Sequence, residues 1–222
     1  MKITKKEFLD EINNNEKKHN IAFIGMSSSG KSYWANLLSK KYNLEHIEID
    51  KLIGNSKEFA NLINDLEGKD EVEKLGKFFG SPWDSKYKSK EEKYLEIEEN
   101  IVSKEFPLGS ILDLTGSSIY HSEQMEAISK KSLIIYLKIN EEAKKKLFNI
   151  FLENPKPICW NGVFKKENGE SNEEALSRCY VNLLNHREKL YEKYADVTIP
   201  FEIYEQTKNP EKFVEEISKR LD

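Results

Sequence analysis

"IAFIGMSSSGKSYWANLL", residues 21–38, runs from an apolar stretch through a loop of small residues into a helix-forming segment. Within it Gly25, four further residues, Gly30, Lys31 and Ser32 stand at the spacing of a phosphate-binding loop. Phosphate needs donors that suffer little from leaving water. Backbone N–H groups at a helix N-terminus supply them, together with the positive end of the helix dipole. Gly25 and Gly30 allow the chain to wrap close to the anion. Lys31 reaches the terminal phosphates, and the Ser32 hydroxyl is placed for Mg2+. The expected nucleotide contacts are Gly25, Ser27, Ser28, Ser29, Gly30, Lys31, Ser32 and Tyr33, with ATP and Mg2+ as ligands. A bare glycine-serine turn would need neither the lysine nor the serine at those offsets.

Outward from the loop, the 222 residues suit one α/β domain with insertions. A charged fraction of 33% beside 38% hydrophobic residues fits a soluble globular chain rather than a disordered or membrane one. No apolar run approaches the ~20 residues that cross a bilayer, and the lysine-rich first residues precede no signal-like apolar core. A cytoplasmic protein without membrane contact is expected. The formal charge of −4 and the scattered lysines argue against nucleic acid as a partner. Cys159 and Cys179 lack metal-ligand spacing and are expected reduced. A monomer is compatible with the sequence, which carries no information on assembly.

Thr4 and Glu7 form a capping box for a helix over 5–17, within an N-terminal extension of residues 1–18. Strands are expected at 21–24, 47–50, 110–114, 133–139 and 197–199. Helices are expected at 31–41, 122–130, 141–152, 173–194 and after Asn209-Pro210. Between them, residues 54–106 read as a helical insertion. One helix opens at Ser56 and closes at Gly68, a second is capped by Asp70 with Val72, Leu75 and Phe79 inward, and a third carries Tyr94, Ile97 and Ile101. Residues 154–172, with two prolines and two glycines, hold no regular element. Strands alternating with helices predict a three-layer fold, a parallel sheet of about five strands with helices on both faces.

Three further blocks extend the loop to a family. "GMSSSGKSYWANLLSKKYNLEHIEIDKLI" (25–53), "LTGSS" (114–118) and "REKLYEKYADVTI" (187–199) resemble the loop, acid-x-acid strand end, glycine turn and closing helix of the shikimate kinases. Residues 54–90 and the first 18 lie outside the resemblance. It implies a P-loop kinase that moves the γ-phosphate of ATP to a hydroxyl of a small metabolite, shikimate being the nearest named acceptor. A nucleoside, nucleotide or sugar-acid kinase is the alternative within the class, with Trp83, Tyr87 and Trp160 as stacking surfaces. A nucleotide-binding regulatory protein is the alternative outside it.

Asp50 lies nineteen positions after Lys31 at a strand end, where a carboxylate accepts or orients a hydroxyl proton. Lys31 and Asp50 are therefore the expected catalytic pair, and the resemblance puts Asp50 on the acceptor and Glu48 near the metal. Arg187 emerges from the apolar face of its helix and must be paired. It either bridges to an acid or, as the resemblance implies, holds an acceptor carboxylate. Gly116 and Ser117 either offer backbone donors to the same ligand or form a plain turn. Asp113 resembles the acid ending a Walker B strand and serves the metal or is a buried structural acid, whereas the family normally has an apolar residue there. The resemblance makes 154–172 a lid with Lys156 in place of its arginine, and a disordered surface loop is the alternative. His121 reads as structural. Leu95 stands where the family carries a second acceptor-binding arginine, and Gly-Ser-Ser replaces Gly-Gly-Gly. Both departures widen the range of acceptors.

Overall fold

The computed structural model describes residues 3–14, 16, 18–153 and 156–222. In chain order the elements are α1 (Lys5–Asn14), β1 (Asn20–Ile24), α2 (Lys31–Tyr42), β2 (Glu45–Glu48), α3 (Ile49–Gly54), α4 (Lys57–Ile63), α5 (Glu71–Phe79) and α6 (Tyr87–Val102). They continue with β3 (Ser110–Asp113), a short 3-10 turn, α7 (Ser122–Lys131), β4 (Ser132–Lys138), α8 (Glu141–Glu153), α9 (Asn172–Tyr194), β5 (Val197–Pro200), α10 (Phe201–Gln206) and α11 (Pro210–Ser218). The strands form one sheet in the order β2-β3-β1-β4-β5, every neighbouring pair parallel. Near-continuous apolar strands such as β4 are what a sheet covered on both faces requires.

Strand alternation divides the core in two. Ile21, Phe23, Ile135 and Leu137 face α2 and α11, where Trp34 stacks on Phe213 with ring centroids 3.9 Å apart. Ala22, Ile24, Ile134 and Tyr136 face the other way, into a cluster that also takes in Tyr94 and Ile97 of α6 and Leu183 and Tyr191 of α9. Side chains of one strand thus serve two cores because their direction reverses at every residue.

Several caps stand where the sequence puts them. Thr4 and Glu7 exchange backbone bonds, the Glu7 N–H donating to Thr4 Oγ1 at 3.3 Å and the Thr4 N–H to Glu7 Oε2 at 2.9 Å. Ser56, Asp70 and Asn209 each accept a backbone N–H three residues on. α1 ends at Asn14, and the expected continuation through Asn15 and Lys17 falls outside the described residues, as do Met1 and Lys2 of the N-terminal extension.

Other boundaries differ. Glu48 is the last residue of β2, in register with Asp113 at the end of β3, so no partner remains for a longer strand. Ile49 and Asp50 accordingly open α3 rather than close β2. The helix begun at Ser56 stops at Ile63, short of Gly68. Val72 is 51% exposed, outside the expected stripe, while Phe79 is buried. α10 follows β5 directly, outside the expected helices. Residues 156–171 hold no helix or strand, as expected from their composition. No helix among the described residues is long and apolar enough to cross a membrane.

Candidate active site

β1 is the point at which strand order reverses, with β3 on one side and β4 on the other. Ligands in open parallel sheets bind beyond the carboxyl ends of strands at such a point, and the Gly25–Ser32 loop leaves β1 there. The loop's curvature is carried by Gly25 (φ 150), Ser28 (φ 62) and Gly30 (φ 90). At Gly25 a Cβ would lie 2.9 Å from the Leu137 carbonyl oxygen and 2.9 Å from Ser29 Oγ. Gly25→Ala is therefore expected to shift the loop at a cost of about 1–3 kcal/mol. The expected result is a fall in ATP affinity of about tenfold or more, read by titration calorimetry, with a lower Tm.

Inside the loop, the Ser29 hydroxyl is buried and finds no hydrogen-bond partner among the described residues. Lys31 Nζ donates to the carbonyls of Gly25 and Met26, each at 3.1 Å. Burial pushes the ammonium below the ordinary lysine range, and Asp113 and Asp50 pull it partly back. A cation held by neutral carbonyls and an orphaned hydroxyl beneath a bend of exposed serines suit an arriving phosphate.

The loop forms one flank of a cleft of about 330 Å3. Ser27, Ser28, Lys31 and Ser32 line it together with Asp50, Asp113, Gly116, Ser117, Lys156 and Arg187. Ser29 lies beneath the loop. Tyr33 does not join the cleft. It is half exposed on α2, its ring meeting Trp34 edge-on at 5.4 Å. Glu48 is not in the lining either, and Lys51 lies 3.9 Å from its carboxylate at the surface. Of the three expected metal residues, the cleft receives Ser32 and Asp113.

Asp50 sits in the first turn of α3. The residue is exposed and lines the cleft. Desolvation there raises its pKa above the ordinary aspartate range; Lys31 opposes the shift, and Glu98, Asp113 and Glu48 add to it. Asp113 is 6% exposed and stands 3.8 Å from His46 Nε2. Mg2+ keeps most of its water and takes one or two carboxylates plus phosphate oxygens. Ser32 and Asp113 fit that modest demand. Among the described residues no group of three or more His, Cys, Asp and Glu is gathered for a metal.

Arg187 departs from the salt-bridge expectation. Its Nε donates to Tyr120 Oη at 2.8 Å and its Nη2 to the Cys159 carbonyl at 2.9 Å, and the guanidinium lies over the Tyr120 ring at 5.3 Å. Among the described residues no carboxylate pairs with it. Its Nη1 would be 3.2 Å from a Cβ at position 116, so the absence of a side chain at Gly116 gives the guanidinium its room.

Two buried carboxylates on α6 organise the acceptor side. Glu98, fully buried, accepts from Thr115 Oγ1, from Ser117 Oγ at 2.7 Å and from His121 Nε2 at 2.8 Å. The 115–118 turn is thus more than a plain turn, and the Ser117 hydroxyl is committed to Glu98 rather than open to a ligand. Seven residues earlier, Glu91 accepts the N–H groups of Trp160 and Asn161, the latter at 3.2 Å. Desolvation raises the Glu91 pKa, and those N–H groups oppose the rise. Tyr87 Oη donates to the Ile158 carbonyl. Residues 156–164 therefore form a strap packed into the core through Cys159 and Trp160, unlike a disordered surface loop. Asn154 and Pro155, the first residues of the expected lid, lie outside the described residues. Farther along, Arg178 pins the segment to α9 through Glu170 at 2.7 Å and the Lys165 carbonyl at 2.7 Å. Both cysteines are buried and free.

A family model for shikimate kinase matches residues 27–222. The chain belongs to the shikimate kinase family. Membership makes it a P-loop kinase that uses ATP. Similar solved structures include shikimate kinase from Bacteroides thetaiotaomicron, at 16% identity and a TM-score of 0.56, covering 90% of this chain and 97% of that one. Shikimate kinase from Aquifex aeolicus is similar at 21% identity and a TM-score of 0.53, covering 91% and 95%. At such identities these likenesses speak to the fold. No curated protein matches the chain. Against the family pattern, Leu95 is half buried against the core cluster, so α6 offers no second guanidinium to the cleft from that position.

Proposed function

We propose that the chain transfers the γ-phosphoryl group of ATP to a hydroxyl of a small metabolite. The observation that carries this reading is the meeting of the Lys31 loop, Asp50 and Arg187 in one cleft at the carboxyl end of the sheet. The loop amides and Lys31 hold the terminal phosphates. Asp50 orients the acceptor hydroxyl and takes its proton as the oxygen bonds to the γ-phosphorus and the bond to the β-bridging oxygen breaks, leaving ADP. Negative charge developing on the transferring group falls beside the Lys31 ammonium. Mg2+, held by Ser32 and by Asp113 through water, would neutralise phosphate charge. Arg187 anchors an anionic or polar group of the acceptor, Lys156 adds a cation to the lining, and the packed strap helps to exclude water.

Shikimate is the first acceptor to test. With Leu95 in place of a second clamp, one guanidinium remains for its carboxylate, which weakens binding by ~1.5–3 kcal/mol relative to a doubly clamped site. The experiment is to incubate the chain with ATP, Mg2+ and a panel of hydroxylated metabolites and follow ADP. Acceptor-dependent ADP supports the proposal; tight ATP binding with no acceptor stimulation across the panel favours a regulatory nucleotide-binding role.

The raised Asp50 pKa sets the sign of the pH response. The base works as carboxylate, so turnover falls as pH drops through its folded-state pKa, and the acid limb lies above the ordinary aspartate range. Asp50→Asn is expected to remove that limb and lower kcat by about 100-fold. A rate profile from pH 4 to 8, on the order of the range in which carboxylates and histidines titrate, checks both.

A further inference from the structure

The segment between β2 and β3 builds a second cavity beside the reaction cleft. Its volume is about 230 Å3, and Trp83, Tyr87 and Trp160, the three residues with stacking potential in the sequence, all line it. Phe79, Phe151, Lys156, Pro157 and Ile158 line both this cavity and the cleft. The two spaces therefore adjoin along two rings and the start of the strap.

The walls state what the cavity favours. Trp83 remains 41% exposed although Phe164 tilts against it at 6.2 Å. Tyr87 Oη is already bonded to the strap, so it makes no demand on a guest. Among the described residues, Lys156 is the one charged side chain in the wall. A cavity of roughly 150 Å3 holds a benzene ring, so this one has room for a single or fused planar ring. Aromatic walls prefer such a guest, in offset or edge contact. On the cleft side the single Arg187 leaves much of the acceptor's affinity to be found elsewhere.

We infer that the phosphate acceptor carries a planar aromatic ring, seated in this cavity against Trp83, with its hydroxyl reaching into the adjoining cleft that Asp50 lines. This rests on the phosphotransferase reading above. The ring's source is a nucleobase or an aryl alcohol, and the test separates them.

Uridine, benzyl alcohol and the non-aromatic shikimate serve as probes of the full-length chain, with binding read by ligand-observed NMR in the absence of nucleotide. Gly76 of α5 lines the cavity, and a Cβ there would have the Pro157 ring as its nearest neighbour at 3.8 Å. A Cβ is thus in ordinary contact there, and Gly76→Leu extends a side chain into the space while strengthening the helix. Trp83→Ala removes a wall at a partly exposed position.

At least one aromatic probe is expected to bind, and to bind about tenfold or more weakly in both variants, while ATP affinity is unchanged. Preference for uridine assigns a nucleobase, and preference for benzyl alcohol an aryl group. Failure of both aromatic probes to bind, or binding indifferent to Gly76→Leu, overturns the inference. Displacement of the probe by ATP also overturns it, because the cavity then holds the nucleotide's own base. ATP binding without any acceptor turnover in the panel would sink the phosphotransferase reading separately, since the probe measurements involve no transfer.

Discussion

Lys31→Ala is expected to lower acceptor-dependent ADP formation by about a thousandfold, the scale set by removing a charge-stabilising donor from a water-poor site. The melting temperature should hold or rise. The reason lies in the sign of the lysine's shift. Its folded-state pKa is depressed by burial, so at any pH below the unfolded value, neutral pH included, protonation favours the unfolded chain. Alanine relieves that burden while releasing the Gly25 and Met26 carbonyls, whose bonds to Nζ are 3.1 Å long. Turnover assays with thermal melts on the same preparation separate the two effects. A variant that keeps a tenth of its activity, or one that loses both activity and fold, would contradict this account of the lysine.

Glu98→Ala is expected to be the most destabilising single change on the acceptor side. The carboxylate is fully buried and takes hydrogen bonds from Thr115, Ser117 and His121. Alanine strands all three donors and leaves a cavity. Leaving three buried donors without their acceptor costs about 1–3 kcal/mol for each group, so a total of about 3–5 kcal/mol is expected. At ~2–4 °C per kcal/mol for a domain of this size, Tm should fall by roughly 10 °C. Glu98→Gln keeps the volume but sets an amide N–H2 against groups that themselves donate, so part of the loss should remain. A shift under about 2 °C for the alanine variant would mean that the turn is held by its other contacts.

The sheet was legible because its strands announce themselves twice, by apolar runs and by the loops that must follow them. β1 and its phosphate loop could be placed almost to the residue, and the helices with strong caps at Ser56, Asp70 and Asn209 began where their side chains said. The short helices α3 and α10 were not legible. Six residues complete fewer than two turns, too few for a period to show. Arg187 was singled out because a charge on an apolar helical face needs a partner. The same logic applies to Glu91 and Glu98, which share a buried face with Tyr87, Tyr94 and Ile101, but among 39 acids nothing in the sequence sets these two apart. Their partners come from residues 17 to 70 positions away, a distance no local pattern reports. The second cavity was beyond reach for the same reason, since its walls meet only when the strap folds back on α5 and α6.

One rod measures the pocket from both ends. α6 grips the strap at Glu91 and the 115–118 turn at Glu98, so the gap between these jaws is set by two turns of helix, about 10 Å of rise, rather than by loop length. The helix works as a calliper. A guest that forces one jaw must lever the other, and substitutions at Glu91 and Glu98 should therefore combine non-additively in whatever selects the acceptor.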